Sequence, residues 1–161
     1  MNAPRGCTGV ILAGGAASRM GGEPKGLLRV GGLRIIDRVA AVLVGATGRV
    51  IISANHMNAG EWLPGVPSFG DRHRGFGPLA GIDAALRAAS TDIIALAWDM
   101  PLLRTGVLRQ LRETGEAGDA DIVAPASNSP WGWEPLCAWY SAGAVVAIER
   151  DGGKPELLQH R

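Results

Sequence analysis

Short runs of β-branched and apolar residues alternate along the chain with stretches in which apolar residues recur every three or four positions. The first run, TGVIL at 8–12, predicts a strand. A glycine-rich stretch follows. Residues 33–46 then place Ile36, Val39, Ala40, Leu43 and Val44 at helical spacing, with Gly45 and Gly48 as stop signals. RVIIS at 49–53 predicts a second strand, and residues 66–69 a short third. From Asp71, DRHRGFG is polar and punctuated by glycine, as loops are. Pro78 stands at a natural first helical position, and Leu79, Ile82, Ala85, Leu86 and Ala89 share the apolar face behind it. DIIALAW at 92–98 is almost continuously apolar, the pattern of a central parallel strand covered on both sides, and it ends on Asp99. Beyond it the pattern predicts a helix over 105–114, strands over 121–124 and 134–139, and a closing helix over 142–150.

This alternation predicts an α/β fold: a Rossmann-like, mostly parallel sheet with helices on both faces, joined by right-handed crossovers. Ligands of such sheets bind outside the carboxyl ends of the strands. The 161 residues admit one domain with a real core. Sixteen basic and fifteen acidic residues give a formal net charge of +1, with no Lys/Arg block, so neither nucleic acid nor an acidic membrane surface is an expected partner. Cys7 and Cys137 belong to no metal-ligand or CxxC spacing and are expected to be reduced thiols. The chain shows neither an export signal nor an apolar run of membrane-spanning length, and the cytoplasm is the expected compartment.

The candidate chemistry starts where the first strand ends, in VILAGGAASRMGGEPKG at 10–26. Ala13, Gly14, Gly15, Ala16 and Ala17 have little or no side chain, so their backbone N–H groups can approach an anion. Arg19 and Lys25 can neutralise phosphate oxygens, the first as a fork and the second as a point charge. A Walker loop is excluded, because Lys25 follows Pro24 and precedes Gly26, and the glycine spacing does not fit a dinucleotide fingerprint. Asp99, at the end of the most apolar strand, suits Mg2+ held by one carboxylate plus substrate phosphates; the competing role is a cap for the following turn. Asp71 and Arg72 and Arg74 beside it suit either a ligand or a solvated loop, and Asn55 suits either a base contact or a turn. His56, His73 and His160 share no ligand spacing and are expected at the surface. Trp131 and Trp133, flanking Gly132, are expected to pack beneath their loop, with stacking on a planar ligand as the alternative.

LAGGAASRMGGEPK, at 12–25, resembles the LAGGxSxRMGxxK signature of nucleotidyltransferases of the molybdenum cofactor guanylyltransferase family. GLLRVGG after it, Asn55, the DRHRGFGPLAG segment, DMPLL and EPLCAWY are similar to further family segments in the same order. The resemblance implies that Leu12, Ala13, Gly14, Gly15 and Asn55 contact a guanine nucleotide, Lys25 its phosphates, Asp71 the nucleotide and Asp99 a Mg2+ ion. Arg19, Lys25 and Asp99 would then carry the reaction. The implied activity is transfer of GMP from GTP to the terminal phosphate of molybdopterin or its molybdenum form, with release of pyrophosphate. Such an attack by an anionic phosphate requires no general base, only positioning and charge stabilisation. A target molybdoenzyme is a further candidate partner, and the chain is expected to act as a monomer or weak homo-oligomer. Transfer of cytidylyl or another nucleotidyl group is the nearest alternative, because a phosphate loop does not fix the base. A catalytically weak cofactor-binding partner is the other, because the family continues past the closing helix while this sequence stops at Arg161, so residues 1–161 are expected to form a nucleotidyltransferase domain lacking the family's C-terminal tail.

Overall fold

Six consecutive buried residues, Cys7–Leu12, form the first strand, β1, at the centre of the molecule. The computed structural model describes residues 6–14, 24–70 and 78–150. After β1 come the two-residue strands β2 (Arg29–Val30) and β3 (Leu33–Arg34), helix α1 (Ile35–Thr47), β4 (Val50–Ser53), the short α2 (Ala59–Trp62) and β5 (Ser68–Phe69). Then follow α3 (Pro78–Ala89), β6 (Asp92–Ala97), α4 (Thr105–Ala117), β7 (Ile122–Val123), β8 (Cys137–Tyr140) and α5 (Ala144–Arg150).

The main sheet runs in the order β5-β4-β1-β6-β8-β7. β5, β4, β1 and β6 are mutually parallel, whereas β8 runs antiparallel to both β6 and β7. Leu12 is in register with Ser53 on one side and Ala97 on the other, and Leu96 with Cys137, so these residues mark one edge of the sheet. The α/β fold with a mostly parallel sheet is as the residue pattern predicts.

Alternation along the strands divides the core in two. Ile11, Ile94, Leu96, Cys137 and Trp139 face a layer containing Ile36, Val39 and Leu43 of α1 and Leu108 and Leu111 of α4. Val10, Leu12, Ile93, Ala95, Ala138 and Tyr140 face the other layer, with Leu79, Ile82 and Leu86 of α3 and Ile148 of α5. Each fully buried Ile or Leu here stabilises the fold by about 1.5–3 kcal/mol. α1 lies so close to β1 that a Cβ on Gly9 would stand 2.9 Å from Leu43 Cβ. Arg109 and Arg112 of α4 donate to the carbonyls of Gly45 and Ala46, satisfying acceptors in the last turn of α1.

Local features differ from the sequence pattern, among them the unpredicted short helix α2 and a third strand that begins at Ser68 rather than at 66. The helix predicted from residue 33 starts at Ile35, because residues 29–34 form a β-hairpin turned by Gly31 (φ +58°) and Gly32 (φ +83°). Two glycines between apolar residues are a hairpin signal, and left-handed φ at both is what such a two-residue turn requires. The hairpin is held by Arg38 of α1, which donates to Val30 O, and by Ile35 N donating to Leu28 O. The strand predicted to reach 98 ends at Ala97, and the last strand starts at Cys137 after a turn rather than at 134. No helix among the described residues is long and apolar enough to cross a membrane.

Candidate functional site

The carboxyl ends of the parallel strands bring Leu12, Ala13, Gly14, Asn55 and Asp99 to one edge. Leu12 closes β1, and Ala13 N donates to Ser53 O at 2.8 Å, so the outgoing chain is still paired with β4 one residue past the strand. At Gly14 no described residue stands within 4 Å of where a Cβ would be. Gly15 and Arg19 lie outside the described residues.

On one flank, β4 gives way to Ala54 and the exposed Asn55. Ala54 N donates to Phe69 O, and a Cβ on Gly70 would come within 3.0 Å of Asn55 Oδ1, so the ends of β4 and β5 leave the sheet side by side. Asp71 follows Gly70 directly but lies outside the described residues, with His73, Arg72 and Arg74. His56, exposed as the sequence suggests, accepts the Asn58 N–H on Nδ1 at 3.1 Å.

On the other flank, Trp98 N donates to Leu12 O at 3.2 Å, and Asp99 projects next, exposed. Its carboxylate does not cap the helix that follows: α4 is preceded by Arg104 and has no side-chain cap. Among the described residues no group of three or more His, Cys, Asp or Glu could enclose a metal ion. Among the described residues Asp99 would thus offer a divalent ion a single carboxylate, with phosphate oxygens and water completing the shell in the manner usual for Mg2+.

Lys25 reaches this edge by an unexpected route. It begins a single 3-10 turn, Lys25–Leu27, in which Lys25 is exposed and Gly26 buried. Gly26 lies against the indole of Trp98: a Cβ there would be 2.3 Å from Cε3 and 2.9 Å from Cδ2 and Cζ3. The lysine and the carboxylate, 74 positions apart (25 to 99), thus flank a glycine and a tryptophan that touch. Trp98 packs in turn on Trp62, with ring centroids 5.2 Å apart and planes at 30°, and Trp62 on His56, also at 5.2 Å. Trp62, Trp98 and Gly26 escaped the sequence reading. Trp98 looks like the last residue of a buried strand and Gly26 like one more loop glycine; the signal was their placement beside Asp99 and Lys25.

Because β8 is antiparallel, its amino end points to the same edge. The segment between β7 and β8 is a closed hairpin in which Ser127 N donates to Gly132 O, Gly132 N to Ser129 O, and Ser129 Oγ to Trp133 O. Trp133 packs against the second core layer, as expected for a tryptophan beneath its loop, with its indole N–H buried and without a partner among the described residues. Burial, not chemistry, governs both thiols: it pushes Cys7 up to about 12 and Cys137 up to about 11. Neither is poised as a nucleophile.

A mostly parallel sheet whose first strand runs out at Ala13 and Gly14, with a lysine turn and a strand-end aspartate at the same edge, is the architecture of an α/β nucleotidyltransferase. The chain belongs to the MobA-like NTP transferase family, whose domain matches residues 9–161. It is 38% identical over 155 residues to the molybdenum cofactor guanylyltransferase of Cupriavidus metallidurans, covering 91% of this chain and 76% of that one. It is 41% identical over 143 residues to a Pelotomaculum thermopropionicum protein named as a probable molybdenum cofactor guanylyltransferase, covering 88% and 67%. Among solved structures it is similar to molybdopterin-guanine dinucleotide biosynthesis protein A from Archaeoglobus fulgidus, with a TM-score of 0.71 and 28% identity, over 89% of this chain and 71% of that one.

Proposed function

We propose that this nucleotidyltransferase moves GMP from GTP to the terminal phosphate of molybdopterin or its molybdenum form, releasing pyrophosphate. The observation that carries the reading is the meeting of the Leu12–Gly14 backbone, the Lys25 turn and Asp99 at one sheet edge, in a chain whose relatives are named for this reaction. Ala13 and Gly14 offer open backbone to the nucleotide, and Lys25 offsets charge on its phosphates. Asn55, beside Gly70, borders the side on which the base would lie. Gly15, Arg19 and Asp71 join this set on the strength of the sequence motif alone.

A Mg2+ ion held by Asp99 and the triphosphate would supply charge neutralisation at the α-phosphate. Asp99 in this role is a tether at the mouth of the site, and Lys25 meets the phosphates from the neighbouring turn. The acceptor phosphate is already an anion, so the residues need only align it and exclude competing geometries. GTP as donor and two unpaired thiols suit a cytoplasmic setting.

The test is pyrophosphate release from GTP, CTP and ATP with Mg2+ and molybdopterin, run with the wild-type chain and with Lys25→Ala and Asp99→Ala. Turnover should be specific to GTP and fall about 100-fold or more in each variant, the usual loss when a group facing the developing charge is removed. Preference for CTP would reassign the base. Binding of GTP without pyrophosphate release would make the chain a binding partner rather than an enzyme.

A further inference from the structure

We propose that Trp98 is a positioning residue for Lys25, its indole face serving as the seat on which the lysine turn rests and so setting the lysine's height above Asp99. The inference rests on the nucleotide site proposed above. Three observations carry it. Gly26 is buried between an exposed Lys25 and a half-buried Leu27, and its missing Cβ is the space that the benzo ring of Trp98 fills, at 2.3 Å. Gly26 is not among the residues with left-handed φ, so glycine is needed there for room and not for backbone conformation. Trp98 is itself fixed, 9% exposed, by its N–H to Leu12 O and by Trp62 packed on its ring.

The next residue after this seat is Asp99. One peptide segment therefore sets both the proposed metal tether and the height of the proposed phosphate-binding cation. Trp62 and His56 extend the support towards Asn55, so the ends of β4 and β6 share one aromatic column. Any side chain at position 26 lifts the lysine turn off the indole, and a smaller side chain at 98 removes the obstacle. The two effects should cancel in GTP binding while guanosine binding stays unchanged throughout, a split that a merely structural role of either residue does not predict.

The experiment measures dissociation constants for GTP and for guanosine by titration, with thermal melting of every variant. Gly26→Ala should weaken GTP about tenfold, as residues in contact with a binding element do, and leave guanosine unchanged. In a Trp98→Leu background the same substitution should change GTP binding by less than about twofold. If Gly26→Ala does not fold, Trp98→Leu carries the test: it should weaken GTP but not guanosine, and Trp98→Phe, which keeps an aromatic face, should recover most of the loss. An equal loss for GTP and guanosine, or the same loss from Gly26→Ala in both backgrounds, overturns the inference while leaving the nucleotide site intact. A wild-type chain that binds no GTP overturns the functional reading, and this inference falls with it.

Discussion

Replacing Gly115 by alanine sets two terms against each other. Alanine in a helix interior is favoured over glycine by about 1 kcal/mol, since it loses less backbone freedom on folding. At Gly115 the new Cβ would meet Trp139 Cδ2 and Cε3 at 2.3 Å and Cε2 at 2.7 Å. Carbon atoms prefer roughly 3.5–4 Å, so α4 or the indole must move by more than about 1 Å. Trp139 is 3% exposed, in a strand paired on both sides, and has nowhere to go. Overpacking typically costs about 1–3 kcal/mol, and with neither element free to move this case stands at the upper end, so after the gain of about 1 kcal/mol the net loss is about 2 kcal/mol. For a domain of this size that lowers Tm by roughly 4–8 °C.

Two other helical glycines calibrate the argument. At Gly106, in the first turn of the same helix, no described residue stands within 4 Å of the Cβ position, and Gly106→Ala should raise Tm by about 1–2 °C. At Gly45 in α1 the Cβ would stand 3.0 Å from Thr105 Cγ2, a side chain that can give, and the two terms should nearly cancel. Calorimetry or circular-dichroism melting of the three variants reads the order directly. A Gly115→Ala protein as stable as wild type, or indistinguishable from Gly45→Ala, would refute the reasoning.

The remaining predictions concern the thiols and the hairpin. Burial raises Cys7 and Cys137 from 9.0 to about 12 and about 11, so a thiol reagent at pH 8 should modify neither in the native protein and both in denaturant. The sign of the linkage follows: the unfolded chain releases these protons above about pH 9 while the folded chain keeps them, so stability is full below that pH and falls as pH rises towards 11–12. Each thiol contributes about 1 kcal/mol per pH unit in that window, and urea melts of a Cys7→Ser, Cys137→Ser pair against wild type should show the lost slope. In the hairpin, Gly32 at φ +83° should lose about 1 kcal/mol as alanine and less as asparagine, which tolerates the left-handed region; equal losses would contradict this.

How much of this was legible in the sequence depended on the range over which each element is determined. β1, α1, α3 and β6 carry their own periodicity and stand close to where the pattern puts them. Their order also placed Leu12, Asn55 and Asp99 at one edge, because parallel strands share a carboxyl end. The hairpin at 29–34 was lost because its strands are only two residues each, too short for periodicity to show, although its glycine pair was visible. The reversal of β8 was not visible: which way an apolar strand runs is decided by pairing with β6, not by its own residues. The contact between Gly26 and Trp98 belongs to the same class, since no local rule joins positions 26 and 98.

The place of β1 bears on how the protein is made. It is flanked by β4 and β6, and the register of Cys7 with Asp92 means that its second neighbour lies 85 residues later in the chain (7 to 92). At ribosomal rates this is a wait of roughly 4–17 s, during which a strand that ends wholly buried keeps one hydrogen-bonding edge unpaired. β4, only about 40 residues behind, closes the other edge first (Gly9 with Val50). The nascent chain thus holds a half-finished sheet whose open side is the future centre of the molecule, the kind of edge on which chains aggregate. Expression yield should therefore respond to synthesis speed and to chaperone supply more than the stability of the finished fold would suggest.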